Sequence, residues 1–306
     1  MDPIMLQLGP LALRWYGFFI ALGVLIASNW TLAEAKKRGL DTDKLLDMTL
    51  WLVISGLIGA RLIYVLTSPA AYFGPGGNPW NAVAIWQGGG SIHGGVLGIF
   101  IAVWIYSRIH KLNMWSYMDV LTPVGALGVI GGRIGNFMNG SDTTGRVTGW
   151  PIGFTWPEPG TQTFGALGRF LFGRDLWSNA PQIIVNGQLA YGPVHLTQIY
   201  GVVIGIALIF IVLWAFQRSR APGFVWWQFV LWYSVLRSVF EETFRNNPLS
   251  WPVYLSEGIH APGIGLFTLT QLVSIPLILI SIYMLLTLSP DQPDKRDSLT
   301  KKARGR

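Results

Sequence analysis

Seven apolar runs, each close to the length that crosses a bilayer, constrain this chain more than anything else in its sequence. A helix needs about 20 residues to traverse the hydrocarbon core, where only helices and closed barrels satisfy every backbone polar group. The runs fall at roughly 13–33, 46–66, 91–107, 117–139, 197–217, 224–243 and 263–287. The third is the shortest, bracketed by Gly88, Gly89 and Gly90 on one side and Arg108 on the other. They predict an all-α integral membrane protein with seven transmembrane helices. The composition agrees, with 51% hydrophobic and 12% charged residues, where a soluble domain carries about 25% charged.

The first run reads as a retained span rather than a cleaved signal peptide. No basic stretch precedes it, and its far end enters the charged residues Glu34 to Arg38. Basic residues then orient the array, because lysine and arginine concentrate in cytoplasmic links. Lys36, Lys37, Arg38 and Lys44 lie between the first two runs, Arg108 and Lys111 after the third, and Arg218 and Arg220 after the fifth. Lys295, Arg296, Lys301, Lys302, Arg304 and Arg306 follow the seventh, whereas residues 67–90 carry no charge. The amino terminus is therefore expected outside and the carboxyl terminus in the cytoplasm.

Residues 140–196 then form an extracytoplasmic cap. Phe154, Trp156, Phe164, Phe170, Phe172 and Trp177 need somewhere to pack, so this segment is expected to be ordered. The domain plan is one membrane domain over 1–290, including the cap at 140–196, followed by a cytoplasmic polar tail over 291–306. The net charge of +7 points to anionic membrane lipids, not to nucleic acid.

With the orientation set, the polar residues of the spans gather in the outer half. Arg14 and Tyr16 open the first run, Arg61 and Tyr64 lie late in the second, and His93 opens the third. Arg133, Asn136 and Asn139 close the fourth, inside "GGRIGNFMNG" (131–140). His195, Gln198 and Tyr200 stand at the entrance of the fifth, and Tyr233, Arg237 and Glu241 lie late in the sixth. Arginines in a membrane are costly unless paired or wetted. Glu241 is expected to serve one of them, while Asp119 near the inner surface and Asp142 at the outer rim leave the rest without a carboxylate. A bound phosphate supplies the missing charge and matches the guanidinium fork. Arg133 accordingly reads as a phosphate clamp, with Asn136 and Asn139 as neutral donors.

Each of these residues also has a plain structural reading. Arg61 is either a packing and snorkelling residue or a lipid contact; Arg237 and Glu241, four apart, also form an ordinary helix staple. Arg14 is an interfacial anchor, and His195 caps or packs as readily as it binds. His93 sits in "GGGSIHGG" (88–95), where a packing histidine has no use for so many glycines, and it reads as a base that exchanges a proton near neutral pH. It lacks partners for a metal, since His110 lies on the opposite side, so neither metal nor cofactor is expected. With no cysteine in the chain, any reacting thiol belongs to the substrate.

These strings together resemble the prolipoprotein diacylglyceryl transferase family. The resemblance runs from "LRWYG" (13–17) to "QLVSIPLIL" (271–279), and its most specific part is "GGRIGNFMNG". Support comes from "GARLIYVL" (59–66), "SIHGG" (91–95), the His195, Gln198 and Tyr200 set, and "WYSVLRSVFE" (232–241). The resemblance implies a seven-span enzyme that moves the diacylglyceryl group of phosphatidylglycerol to the lipobox cysteine of prolipoproteins. The residues matching the family's important positions are Tyr16, His93, Arg133, Asn136, Gly145, Tyr233, Arg237 and Glu241. Arg133 is similar to the arginine that meets the lipid headgroup, and His93 and Arg237 resemble the groups that take part in the transfer.

Two strings depart from the family pattern. Ser141 and Asp142 stand where relatives usually carry glutamate, and "HLTQIYG" (195–201) replaces a His-Pro-Ser-Gln-x-Tyr-Glu pattern, leaving Gly201 in place of an acid. In the implied mechanism His93 takes the thiol proton, Arg133 holds the phosphodiester, and Arg237, set by Glu241, stabilises the leaving group; alternatively Arg237 activates the thiol by its field. Arg61, Asn139, His195 and Gln198 complete the expected substrate contacts. The rival reading is a transporter or anion-conducting protein, which buried arginines also suit, although the polar groups leave little path to the cytoplasm.

Overall fold

The computed structural model describes residues 4–8, 11–84, 90–139, 145–156, 183–185, 188–190, 192–219, 221–246, 253–255 and 262–288. At a few of these only the backbone is described, His93 and Asn139 among them. Phe164, Phe170, Phe172 and Trp177 of the expected cap, Ser141, Asp142 and the tail 291–306 lie outside the described residues.

Helices stand in all seven expected places: α1 Trp15–Lys37, α2 Thr42–Thr67, α3 Ile92–Ile109, α4 Met114–Asn139, α5 Thr197–Arg218, α6 Phe224–Leu236 and α7 Leu269–Thr287. Among the described residues four of them, α1, α2, α5 and α7, are long and apolar enough to cross a membrane. The other three depart from that pattern for local reasons. α3 is apolar but short, and α4 interrupts its apolar face with Arg133 and a series of glycines. α6 gives way after 13 residues to a π turn, Arg237–Glu241, and a 3-10 turn, Glu242–Phe244.

The seventh helix begins later than the hydropathy predicts. Residues 263–268 are not helical: strand Ile264–Leu266 pairs with Val253–Leu255. Thr268 then caps α7 through a reciprocal capping box with Gln271. Two further hairpins, Ile4–Leu8 with Leu11–Arg14 and Ile183–Val185 with Gln188–Ala190, are equally invisible to a search for long apolar runs.

The chain divides into two compact units, residues 32–120 and residues 1–31 with 121–306. In the first, α1 ends in a left-handed glycine, Gly39, with the amides of Gly39 and Leu40 returning to the carbonyls of Lys36 and Ala35. Asp41 then caps α2 by accepting from the amides of Asp43 and Lys44. α2 and α3 touch backbone to backbone. A Cβ on Gly59 would lie 2.3 Å from the Gly94 carbonyl oxygen, and one on Gly98 2.2 Å from that of Ser55. Ser55 and Gly59 thus face Gly94 and Gly98, the small-residue seam that membrane helices use to approach closely. The glycines just after His93 therefore have a packing purpose, which their count alone did not reveal.

In the second unit α4, α5 and α6 share a core of Ala126, Ile204, Leu208, Val212, Ala215, Val225 and Phe229. Glycines of "GGRIGNFMNG" seat α4 against α1: a Cβ on Gly131 would lie 2.5 Å from the Phe19 carbonyl oxygen, and one on Gly135 2.8 Å from the Tyr16 Cα. Beyond α4 a smaller cluster of Val147, Trp156 and Val194 gathers Phe137, Met138, Phe154 and Leu196. Phe154 and Trp156 find there the packing expected of them.

Candidate active site

In the second unit, charge comes together from the last turns of α4 and from the π and 3-10 turns after α6, with the first turns of α5 packed against α4. Arg133, on α4, forms an ion pair with Oε1 of Glu241 through its Nη2. Arg237 reaches the same oxygen with Nη1 at 3.0 Å. Its Nη2 lies 3.8 Å from Oε2 of Glu242, which Arg245 also meets with Nη1 at 3.2 Å. Both carboxylates are buried, at 1% and 0% side-chain exposure, while Arg133 and Arg237 keep 11% and 16%. The guanidinium groups are thus the more accessible edge of the cluster, and the carboxylates its buried centre.

Packing explains how the arginines hold these positions. α5 passes α4 at Gly201, where a Cβ would lie 2.6 Å from Cγ and Cδ of Arg133. The missing side chain leaves room for the arginine stem. One turn further, a Cβ on Gly205 would lie 2.5 Å from Cγ1 of Ile130. The Arg237 guanidinium sits 5.9 Å from the Tyr233 ring centroid, and Tyr233 stacks on Phe229 at 5.8 Å with planes 2° apart. A core aromatic thus backs the tyrosine that faces the arginine.

The sequence predicts one carboxylate for one arginine, leaving the others to a ligand. The structure corrects that: Glu241 serves both Arg133 and Arg237, and Glu242 serves Arg237 and Arg245. Among the described residues these three arginines against two carboxylates leave one net positive charge, enough to pair with a single anion. Glu242 and Arg245 were missed because helical spacing puts residue 242 off the face of Arg237. Only the π turn returns it.

The remaining predicted residues fall in several places. Tyr16 lies in the first turn of α1 against Gly135 of α4, with its side chain exposed. Asn136 is half-buried on α4. Gly145 bridges to Arg245 by backbone pairing, and a Cβ there would lie 1.8 Å from the His195 carbonyl oxygen. It joins the segment after α4 to the residues after α6. Arg146 extends this seam, donating its amide to the Phe244 carbonyl and accepting from the His195 amide. Gln198 is wholly buried in the first turn of α5.

His195 is buried, with Nδ1 2.9 Å from the Tyr200 hydroxyl and the Trp150 and Phe244 rings at 5.2 and 4.4 Å. Desolvation, and then the positive charge of Arg146, lower its pKa from 6.5 to about 4. It is therefore neutral at physiological pH, with a proton on one ring nitrogen only.

In the other unit Arg61 is buried and donates Nε to the Ala82 carbonyl at 2.9 Å and Nη2 to that of Asn81. Its guanidinium lies 5.3 Å from the Tyr72 ring centroid and 5.8 Å from that of Tyr64. These contacts fasten residues 72–82 to α2. The backbone of His93 occupies the first turn of α3, which Ser91 caps; its side chain, like that of Asn139, lies outside the description. Among the described residues no group of three or more His, Cys, Asp or Glu is placed to hold a metal.

A buried cluster with one positive charge to spare, built on the strings that carry the resemblance, invites comparison with known proteins. Residues 3–287 match the model of the prolipoprotein diacylglyceryl transferase family. The chain belongs to that family. It is 44% identical over 292 residues to the phosphatidylglycerol–prolipoprotein diacylglyceryl transferase of Thermus thermophilus, covering 95% of this chain and all of that one. The transferase of the same description from Deinococcus radiodurans is 44% identical over 291 residues, 93% of this chain and 85% of the relative. That of Thermoanaerobacter sp. is 33% identical over 296 residues, 97% of each. Within this transferase fold, Arg133, Arg237 and Glu241 form a single ion-paired group.

Proposed function

We propose that the cluster of Arg133, Arg237, Glu241, Glu242 and Arg245 grips the phosphodiester of phosphatidylglycerol while its diacylglyceryl group is transferred. The chain is a phosphatidylglycerol–prolipoprotein diacylglyceryl transferase, a multi-pass protein of the bacterial inner membrane. Its substrates are phosphatidylglycerol and the lipobox-containing prolipoprotein. The cysteine thiol of the prolipoprotein attacks the lipid glycerol carbon that bears the phosphate. The carbon–oxygen bond breaks, a thioether forms, and glycerol phosphate leaves with the proton released by the thiol.

Attack at a saturated carbon calls for a thiolate, an aligned lipid and stabilisation of the departing phosphate. A free thiol has a pKa of about 8.5, so a base or a nearby cation raises the reactive fraction. In our reading His93 takes that proton. Arg133 holds the phosphodiester, and Arg237, set by Glu241, stabilises charge growing on the leaving oxygen. Tyr16, Asn136, Asn139 and Tyr233 orient the headgroup. Gly145, His195 and Gln198 support the rim of the site by backbone seam and burial. Arg61 serves indirectly, by fastening its loop.

The observation that carries this reading is the sharing of one Glu241 oxygen by Arg133 and Arg237. The shared carboxylate presents two guanidinium groups together and leaves charge for one anion. The test is incubation of purified protein with phosphatidylglycerol and a lipobox peptide, followed by mass spectrometry. The reading requires a diacylglyceryl adduct on the cysteine with native protein and a large loss of that adduct with Arg237→Gln. Full turnover by Arg237→Gln overturns the assignment.

The same reading places all seven helices across the bilayer, with residues 140–196 as an extracytoplasmic cap, 1–290 as one catalytic membrane domain and 291–306 as a cytoplasmic tail. The basic residues support it, and the absence of cysteine makes it simple to test. A membrane-impermeant thiol reagent labels Asn78→Cys in intact cells and Lys111→Cys only after permeabilisation. The opposite pattern reverses the orientation.

A further inference from the structure

The π turn at Arg237–Glu241 is held from outside its own helix. In a π turn the amide of residue i+5 reaches the carbonyl of residue i, and such turns recur at functional sites. Here the Glu242 amide donates to the Arg237 carbonyl. That spacing returns residue 242 to the face of residue 237, so Arg237 meets Glu241 and Glu242 together. In an unbroken α-helix, with 3.6 residues per turn, residue 242 would point well away from Arg237.

The neighbouring carbonyl, of Ser238, is engaged by two side chains. The Thr243 hydroxyl donates to it at 3.0 Å, and the Gln271 carboxamide nitrogen donates to it at 3.1 Å from α7. The same nitrogen lies 3.4 Å from the Thr243 hydroxyl and 3.5 Å from the Gly265 carbonyl. The other end of that carboxamide caps α7, accepting from the Thr268 amide at 3.1 Å. One side chain therefore starts α7 with its oxygen and anchors the π turn with its nitrogen.

We propose that Gln271 is a positioning residue for the transfer reaction, holding the Ser238 carbonyl so that Arg237 faces both carboxylates. The inference rests on the reading of Arg237 as a leaving-group contact, and it adds a residue that touches no substrate. Without the Gln271 nitrogen the extra residue of the π turn slips, Glu242 rotates away, and Arg237 loses one of its two carboxylate partners.

The experiment measures kcat and KM for phosphatidylglycerol with a lipobox peptide, using purified full-length protein. Gln271→Ala is expected to lower kcat about tenfold, the equivalent of one lost hydrogen bond of about 1.4 kcal/mol, with KM changed by less than about threefold. Gln271→Glu keeps the capping oxygen and lacks the donor nitrogen; it is measured alongside, so that misfolding of the alanine variant does not decide the matter. Thr268→Ala removes a capping side chain but leaves the Gln271 contact with Ser238, and is expected to lower the thermal midpoint while kcat stays within about twofold. Coupling supplies the decisive readout: Gln271→Ala slows Glu242→Gln by far less than it slows native protein.

Equal slowing in both backgrounds, or loss of thermal stability without loss of kcat in the folded protein, overturns the proposal. Failure of the premise looks different. If Arg237→Lys and Glu242→Gln both keep native kcat, the assignment of Arg237 itself falls. If those two are slow while both Gln271 variants are fast, the assignment stands and only the positioning role falls.

Discussion

Arg133 and Arg237, on different helices, donate to one and the same carboxylate oxygen of Glu241. The carboxylate has 1% side-chain exposure, so its charge is compensated by these two residues rather than by water. Removing one partner from a buried ion pair leaves an uncompensated charge, at a cost of about 3–5 kcal/mol. Glu241→Gln keeps the side-chain shape and removes the charge between two arginines. It is expected to lower the thermal midpoint and to reduce turnover by about a hundredfold or more. Native turnover in this variant would show that the arginines work without their shared partner.

Gly201 gives a test of how Arg133 is placed. A methyl group there would lie 2.6 Å from the arginine's Cγ and Cδ, so Gly201→Ala pushes the stem aside. Overpacking of this kind costs about 1–3 kcal/mol. The expected signature is a fall in kcat/KM for phosphatidylglycerol well beyond the loss of stability. Gly205→Ala, which meets Ile130 instead, is the comparison: it destabilises the folded protein and leaves the kinetics of the folded fraction near native. Equal kinetic effects from the two substitutions would remove Arg133 from the explanation.

His195 predicts a pH dependence of stability. Its pKa falls from 6.5 to about 4 on folding, so between those values the unfolded chain binds a proton that the folded chain refuses. Stability therefore rises with pH from about 4 to 6.5 and is lost as the pH falls through that window. Chemical denaturation across it gives the slope, and His195→Gln flattens it. An unchanged slope in the variant assigns the dependence to other groups.

Arg61 separates anchoring from lipid contact. Its guanidinium is engaged by the Ala82 and Asn81 carbonyls and lies near the Tyr72 and Tyr64 rings. Lysine keeps the charge but not the planar fork. Arg61→Lys is expected to cost about 1–3 kcal/mol of stability while KM for phosphatidylglycerol stays near native. A large rise in KM with no thermal change would make Arg61 a lipid contact.

Much of this molecule is written in its hydropathy. Apolar runs of bilayer length located α1 to α7, and Arg133, Arg237 and Glu241 were visible as polar groups in runs that otherwise exclude them. What the runs hide is anything set by a departure from regular spacing. Residue 242 is five positions from Arg237, and only the π turn brings it round. Ile264–Leu266 is as apolar as the helix that follows, and its strand depends on pairing with Val253–Leu255. The glycines around His93 read as a sign of chemistry, yet Gly94 and Gly98 are there because α2 needs the space. A close approach between backbones leaves the same residues in the sequence as a ligand loop does.

The central claim is that Arg133, held on Glu241, grips the lipid phosphate in the reaction that moves the diacylglyceryl group. The most direct measurement is the mass of a lipobox peptide after incubation with phosphatidylglycerol and either native protein or Arg133→Ala. The account predicts a peptide heavier by one diacylglyceryl group with native protein and an unmodified peptide with folded Arg133→Ala. Native-level modification by folded Arg133→Ala would contradict it.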